Sequence, residues 1–360
     1  MRLLLAGLFI FLTSCTGQGL GGFVVNDSTS GGSGDGGALE PKPRPCAVLS
    51  SSYAATLLDV AQRDGVRVFY TTNPADADVL PDLTDADGDG VPDYVENILR
   101  QAVHARAAYN GLGFRDPLNS PRYKAFGVKF IDIHVRAMAD NGLAYDEAIT
   151  YDNNPLMKDV CGVRIDLSNN LASFPGTWSV VAHELFHLYQ YGYSMFKQSW
   201  FLEGMTAYAE RVIRVGGVKG MGTTTLPATQ NDLDTLVYAV PYNALFDRLA
   251  YLAEQDQAAD MPLNPALFAG AYTDGSLIFK DRLLWGYPLI RKMLENVEEE
   301  SKKISKEKSW DPVSWAESDQ KDAQYQARVM RAIMKAVRDS NLATGGVAAE
   351  VNAFLALTPP

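Results

Sequence analysis

The sequence predicts an α+β protein: a mixed sheet packed against helices, followed by a mostly helical C-terminal subdomain. Three observations carry this expectation. Apolar and polar residues alternate strictly in Ile131-Asp132-Ile133-His134-Val135-Arg136 and in Val163-Arg164-Ile165-Asp166-Leu167-Ser168, the period of half-buried strands. Apolar residues recur at helical spacing in the stretches 95–109, 180–188 and 326–342. Beyond Leu233 the chain is mostly helical in pattern. With 360 residues, 47% of them hydrophobic, it can bury a sizeable core in one large or two moderate domains. A net charge of −11 argues against nucleic acid, which rewards clustered Lys and Arg. Three cysteines exclude a zinc or iron–sulfur site built on four thiolates, and four histidines leave few residues for any histidine chemistry.

The chain opens with Arg2, an apolar run from Leu3 to Leu12, and Thr13-Ser14-Cys15. That run is too short for a bilayer span, which needs about twenty residues, and describes a secretory signal peptide. Leu12-Thr13-Ser14-Cys15 resembles the lipobox of bacterial lipoproteins. The resemblance implies that Cys15 is lipidated, becomes the mature N-terminus and anchors the protein to a membrane. The implied location is extracytoplasmic, at the outer membrane or cell surface. Residues 16–45 are rich in Gly, Ser, Asn and Asp and end in Glu40-Pro41-Lys42-Pro43-Arg44-Pro45, a flexible tether with a stiffer end. The folded part is therefore expected to start near Cys46, with a metal-binding core over 46–230 and helices over 231–360. With Cys15 assigned to lipid, Cys46 and Cys161 remain as one disulfide in an oxidising compartment or as two buried thiols. A bridge would close a long loop, a constraint of roughly 4–5 kcal/mol on the unfolded chain.

Asp85 to Glu96 read D-A-D-G-D-G-V-P-D-Y-V-E. Asp85, Asp87, Asp89, Asp93 and Glu96 fall at the ligand positions of a twelve-residue EF-hand-type loop, with Gly90 at its sharp bend and the Val91 carbonyl as a further ligand. Alternating carboxylates on a tight turn suit Ca²⁺, a hard ion that takes six to eight oxygens. Pro92 departs from paired EF-hands, and Pro74, Pro81 and Asp82 leave no entering helix. A single structural calcium site is expected, followed by an exit helix carrying Val95, Ile98, Leu99, Ala102 and Tyr109 on one face. In the first of the two strands that follow, His134 sits on the polar face and is expected to face solvent. Neither it nor His104, off the apolar face of the exit helix, is assigned a role.

The other two histidines lie in Val180-Val181-Ala182-His183-Glu184-Leu185-Phe186-His187-Leu188. Residues four apart share a helix face, so both imidazoles can reach one Zn²⁺, and Glu184 beside them can take a proton from metal-activated water. The metzincin extension is excluded, because Gln190 and Tyr193 stand where its glycine and third histidine would be. Downstream, Trp200-Phe201-Leu202-Glu203-Gly204-Met205-Thr206-Ala207-Tyr208-Ala209-Glu210 resembles the W-x-x-E-G-x-x-x-Y-x-E helix of gluzincin zinc peptidases. The resemblance implies a zincin-like fold and Glu203 as third zinc ligand, with Glu210 supporting the site. Tyr272-Thr273-Asp274-Gly275 resembles, more weakly, the gluzincin aminopeptidase segment whose tyrosine hydroxyl bonds the tetrahedral intermediate, which implies a catalytic Tyr272. Their G-x-M-E-N segment is absent, so an endopeptidase is favoured. Over Val68 to Tyr287 the pattern is also similar to secreted bacterial metalloproteases with an Asp-rich loop.

The expected function is zinc-dependent hydrolysis of peptides or proteins, with Glu184 as general base and the strand before the HExxH helix offering an edge to extended substrate. The competing expectation is an inactive, calcium-loaded surface protein that binds through the same scaffold. A di-iron carboxylate site would need a second Glu-x-x-His. The chain is expected to be monomeric. In its C-terminal part, Glu298 and Glu299 precede Lys302 and Lys303 by four residues on a solvated helix, and Val329, Ile333, Met334 and Val337 share one apolar face. By the gluzincin resemblance these helices form one wall of the cleft.

Overall fold

Seven short segments, rich in β-branched and aromatic residues, pair into one mixed sheet. They are β1 (Ala47–Leu49), β2 (Asp59–Arg63), β3 (Val66–Tyr70), β4 (Phe130–Arg136), β5 (Gly142–Ala144), β6 (Ile149–Tyr151) and β7 (Gly162–Ser168). This is a computed structural model, and it describes residues 44–49, 54–152, 154, 160–214, 224–254 and 259–359. The expected signal peptide, Cys15 and the part of the expected tether before Arg44 lie outside the described residues. The sheet runs β1-β6-β7-β4-β3-β2, with β5 also on β7; β3, β4 and β7 are mutually parallel, β2 is antiparallel to β3, β5 and β6 are antiparallel to β7, and β1 is parallel to β6.

The helices are α1 (Asp93–Gly111), α2 (Pro121–Ala125), α3 (Val180–Tyr193), α4 (Ser199–Ala209), α5 (Gln230–Asp232), α6 (Leu245–Glu254), α7 (Tyr287–Lys308), α8 (Glu317–Lys321), α9 (Gln326–Asp339) and α10 (Ala348–Leu355). The architecture is thus mixed α/β, as the two alternating strands and the helical stripes predict. On α1 the expected face is buried, with Val95, Ile98, Ala102 and Tyr109 fully inaccessible and packed toward β3 and α3. On α9 Val329, Ile333, Met334 and Val337 are likewise buried, against α7. The charged face of α7 pairs Lys302 with Glu298 and Glu299. These helices and the sheet belong to one compact unit, Leu39–Pro360.

Two strand expectations are corrected. The polar face of the sheet is not solvated: a second, smaller core of Leu57, Phe69, Ile149 and Tyr151 covers it. His134 is fully buried there, its Nε2 2.9 Å from the Tyr151 hydroxyl and its Nδ1 3.3 Å from Asp166. Asp132 on the same face is buried too, satisfied by a two-pronged ion pair with Arg67 at 2.8 Å. Alternation marks which residues share a face but not whether something covers the polar one. The second correction concerns β7, whose edges are both taken, one by β4 and the other by β5 and β6. The outer edge of β5, like those of β1 and β2 at the two ends of the sheet, has no strand partner among the described residues, and it is the one beside Glu184.

Cys46, just before β1, and Cys161, just before β7, stand at disulfide distance with their Cα atoms 6.0 Å apart, inside the range a bridge requires.

Candidate metal centre

The HExxH segment forms a helix because nothing in Val180–Tyr193 interrupts it and its apolar residues meet core on all sides. Every residue of α3 is buried, the two histidines and Glu184 included. Four residues apart on one face, His183 and His187 bring their rings to 5.0 Å between centroids. Helix α4 then returns across α3 and delivers Glu203 to the same point. His183 Nε2 lies 3.2 Å from Glu203 Oε2 and His187 Nε2 3.6 Å from Glu203 Oε1. One ligand atom from each of the three lies within 4.8 Å of the others, so this group can hold a metal ion.

The far nitrogens are committed elsewhere. The His183 Nδ1–H donates to Glu210 Oε2 at 3.2 Å, and the His187 Nδ1–H donates to Gln190 Oε1 at 2.9 Å. Gln190 is held in turn by its own amide bond to the Leu202 carbonyl at 3.1 Å and by the Thr206 hydroxyl at 2.9 Å. With Nδ1 turned to these acceptors, each Nε2 faces the space beside Glu203, where a metal ion would displace the proton that the carboxylates otherwise keep on His183. Two imidazole nitrogens, each oriented from behind, and one carboxylate form a donor set that suits zinc.

The charges fit one another. Burial pushes the His183 pKa down, but the carboxylates of Glu203, Glu210 and Glu184 outweigh it and raise the value to about 10. Burial pushes Glu203 up, and the hydrogen bonds and charge of the two histidines hold it far below the ordinary carboxylate range. Glu184 goes the other way: its burial outweighs the histidines and raises its pKa, despite a hydrogen bond from the Ala144 N–H. A base raised toward neutrality suits proton transfer. Gly142 on β5 makes this possible, since a Cβ there would stand 2.7 Å from Glu184 Cγ.

A cleft lies on each side of the group. One is lined by Asn141, Leu143, Trp178, His183, Glu184 and Tyr242, the other by Leu143, Ala144, Tyr191, Leu202, Glu203 and Trp315. The β5 edge borders both, and Trp315 and its neighbours from the helical C-terminal part wall the second.

No family model, curated protein or solved structure matches the chain.

The remaining expected residues fall into three groups. Asp85, Asp87 and Asp89 come together, each offering a carboxylate oxygen within 4.8 Å of the others. Asp93 and Glu96 stand outside that trio: Asp93 accepts the Ala86 N–H, and Glu96 pairs with Arg100 at 2.5 Å. Tyr272 is not brought to the histidines. It is 2% exposed, and its hydroxyl accepts a 2.6 Å hydrogen bond from Gln101 on α1. Another tyrosine stands beside the metal group instead: the Tyr242 ring is 6.1 Å from that of His183, and it lines the same cleft as His183 and Glu184. Burial and the Glu203 charge raise its pKa to about 12. Tyr242 lies in no motif. Gln190 was legible only as the residue one turn beyond His187.

Proposed function

We propose that this chain is a zinc-dependent peptidase, an endopeptidase in preference to an exopeptidase, carried outside the cytoplasm on a lipid at Cys15. The observation that supports it most is the convergence of His183, His187 and Glu203 with a buried, pKa-raised Glu184 at the edge of an open cleft. A binding module has no use for a base in that place.

His183, His187 and Glu203 would hold the metal. Zinc so bound lowers the pKa of water toward 7 and polarises a carbonyl. The chain's own residues supply the rest. Extended substrate adds to the outer edge of β5 through main-chain hydrogen bonds, which sets the scissile carbonyl beside the metal group. Glu184, packed against Gly142 of β5, accepts a proton from the attacking water and passes it to the leaving amine. Glu210 and Gln190 keep both imidazoles in the ligand tautomer. Asp85, Asp87 and Asp89 would form the nucleus of a calcium site, and Val91, Asp93 and Glu96 would complete it once Asp93 turns from the Ala86 N–H and Glu96 offers the oxygen not bonded to Arg100.

The test is made on the purified extracytoplasmic chain. One zinc per chain and hydrolysis of casein or a peptide library are expected. Glu184→Gln should keep the zinc and lose about 10²–10⁴-fold in rate. A zinc-loaded wild type inert on broad libraries favours the binding-protein reading, and one without zinc removes the peptidase reading. Lipidation is checked by fractionation, where Cys15→Ser should leave the membrane.

A further inference from the structure

Tyr242 is 65% exposed, so burial of its ring does not explain its place over the metal group. Its position is set instead by its neighbour. Asn243 is 6% exposed and points away from the cleft, into α4. Its Nδ2 donates to the Trp200 carbonyl at 2.7 Å and to the Val240 and Pro241 carbonyls at 3.1 and 3.2 Å. Its Oδ1 accepts the Leu245 N–H at 3.2 Å. One side chain thus closes the turn before and after Tyr242 and fastens it to the helix that carries Glu203.

That attachment depends on Gly204. A Cβ at Gly204 would stand 2.6 Å from Asn243 Nδ2, too close for any side chain there. Adjacent residues of α4 therefore do different things. Glu203 faces the histidines, and Gly204 admits the amide that fixes the turn above them. Tyr242, whose hydroxyl is a donor, has its ring 6.1 Å from that of His183 and lines the cleft shared with His183 and Glu184. A donor fixed at the rim of such a cleft can meet the oxygen on which charge develops without reorganising at the moment of reaction.

We propose that Tyr242 acts directly on substrate at this centre, donating a hydrogen bond to the carbonyl oxygen under attack, and that the Asn243–Gly204 contact positions it. The proposal rests on the peptidase reading above. No covalent bond to the protein is involved; the hydroxyl keeps its proton and strengthens its hydrogen bond as the oxygen becomes an oxyanion.

The test uses the whole extracytoplasmic chain loaded with zinc, a short peptide phosphonate as a tetrahedral probe, and a peptide substrate. Tyr242→Phe should retain its zinc, bind the phosphonate about tenfold to a hundredfold more weakly, and lose about 10²-fold in kcat with KM nearly unchanged. Asn243→Ala should lower kcat in the wild type and add almost nothing in the Tyr242→Phe background, because it acts through the tyrosine. Asn243→Asp, which keeps the shape and the acceptor but loses the donor, serves where Asn243→Ala does not fold. Unchanged phosphonate affinity in Tyr242→Phe, or a wild type that does not bind the probe, overturns the direct role. Equal losses from Asn243→Ala in both backgrounds overturn the positioning. A wild type that binds the phosphonate yet cleaves nothing fails the peptidase reading alone, and the binding comparison still decides on Tyr242.

Discussion

At His183 and His187 the ring protons are already committed. Glu210 takes one and Gln190 the other, so the metal-facing nitrogens are fixed before any ion arrives. Partners of this kind raise ligand basicity and hold ring orientation, and their loss typically costs ten- to a hundredfold in metal affinity. Glu210→Gln should therefore weaken zinc binding by about that factor, read by competition with a chromophoric chelator. Unchanged affinity would leave Glu210 a purely structural partner of Ser179 and Arg214. Glu210 was visible in the sequence as part of a helix motif. Gln190 and Tyr242 were not, because what distinguishes them is the atom they face.

Helix α1 connects two features that lie far apart in the chain. Its first turn carries Asp93 and Glu96 of the acidic loop, and its buried Gln101 reaches the start of α3. The Gln101 side chain accepts the Ala182 N–H and donates to the Trp178 carbonyl and the Tyr272 hydroxyl. Upstream, Asp85 accepts the Gly88 N–H at 2.8 Å and the Gly90 N–H at 2.9 Å, shaping the turn that gathers the three aspartates. One Glu96 oxygen is buried without a hydrogen-bond partner. Calcium bound to this loop would stabilise α1 and, through it, the packing of α3. Calcium at about a hundredfold over its Kd should add about 2.7 kcal/mol to stability, and chelation should lower Tm accordingly. Asp87→Ala with Asp89→Ala should abolish the calcium dependence of Tm; a double variant that still responds to calcium rejects the site.

Across the whole molecule, one charged network ties the metal-binding and helical parts together. Asp146, after β5, pairs with Arg122 of α2 at 2.5 Å and with Lys197 at 2.7 Å, and Lys197 reaches Glu317 of α8 at 2.6 Å. Burial pushes the Asp146 pKa up, but the two cations outweigh it and hold it below 3.8. A depressed carboxylate contributes stability that is present above its unfolded pKa and lost as pH falls through the folded one. Asp146→Asn should cost about 3 kcal/mol near neutral pH, where it leaves two cations without their partner, and the gap to wild type should begin to narrow near the unfolded value of 3.8 and close as pH falls through the lower folded one. Urea unfolding across that pH range measures it, and a gap that does not depend on pH refutes the assignment. In the sequence these residues were four unremarkable charges.

What the sequence alone determined is local and periodic: the two alternating strands, the stripes of α1, α3 and α9, the His183–His187 pair on one helix face, the acidic loop in phase with its glycine, and Cys46 and Cys161 as the one pair for a bridge. These follow from spacing, since side chains three or four apart on a helix, or two apart on a strand, must share a face. Only the tertiary structure decided which residues meet across elements. It buried His134 under a second core, covered the β7 edge with β5, held Tyr272 against α1, and brought Tyr242 beside His183 through Asn243 and Gly204. Such contacts depend on how helices and strands pack at long range, and no short spacing in the chain encodes them.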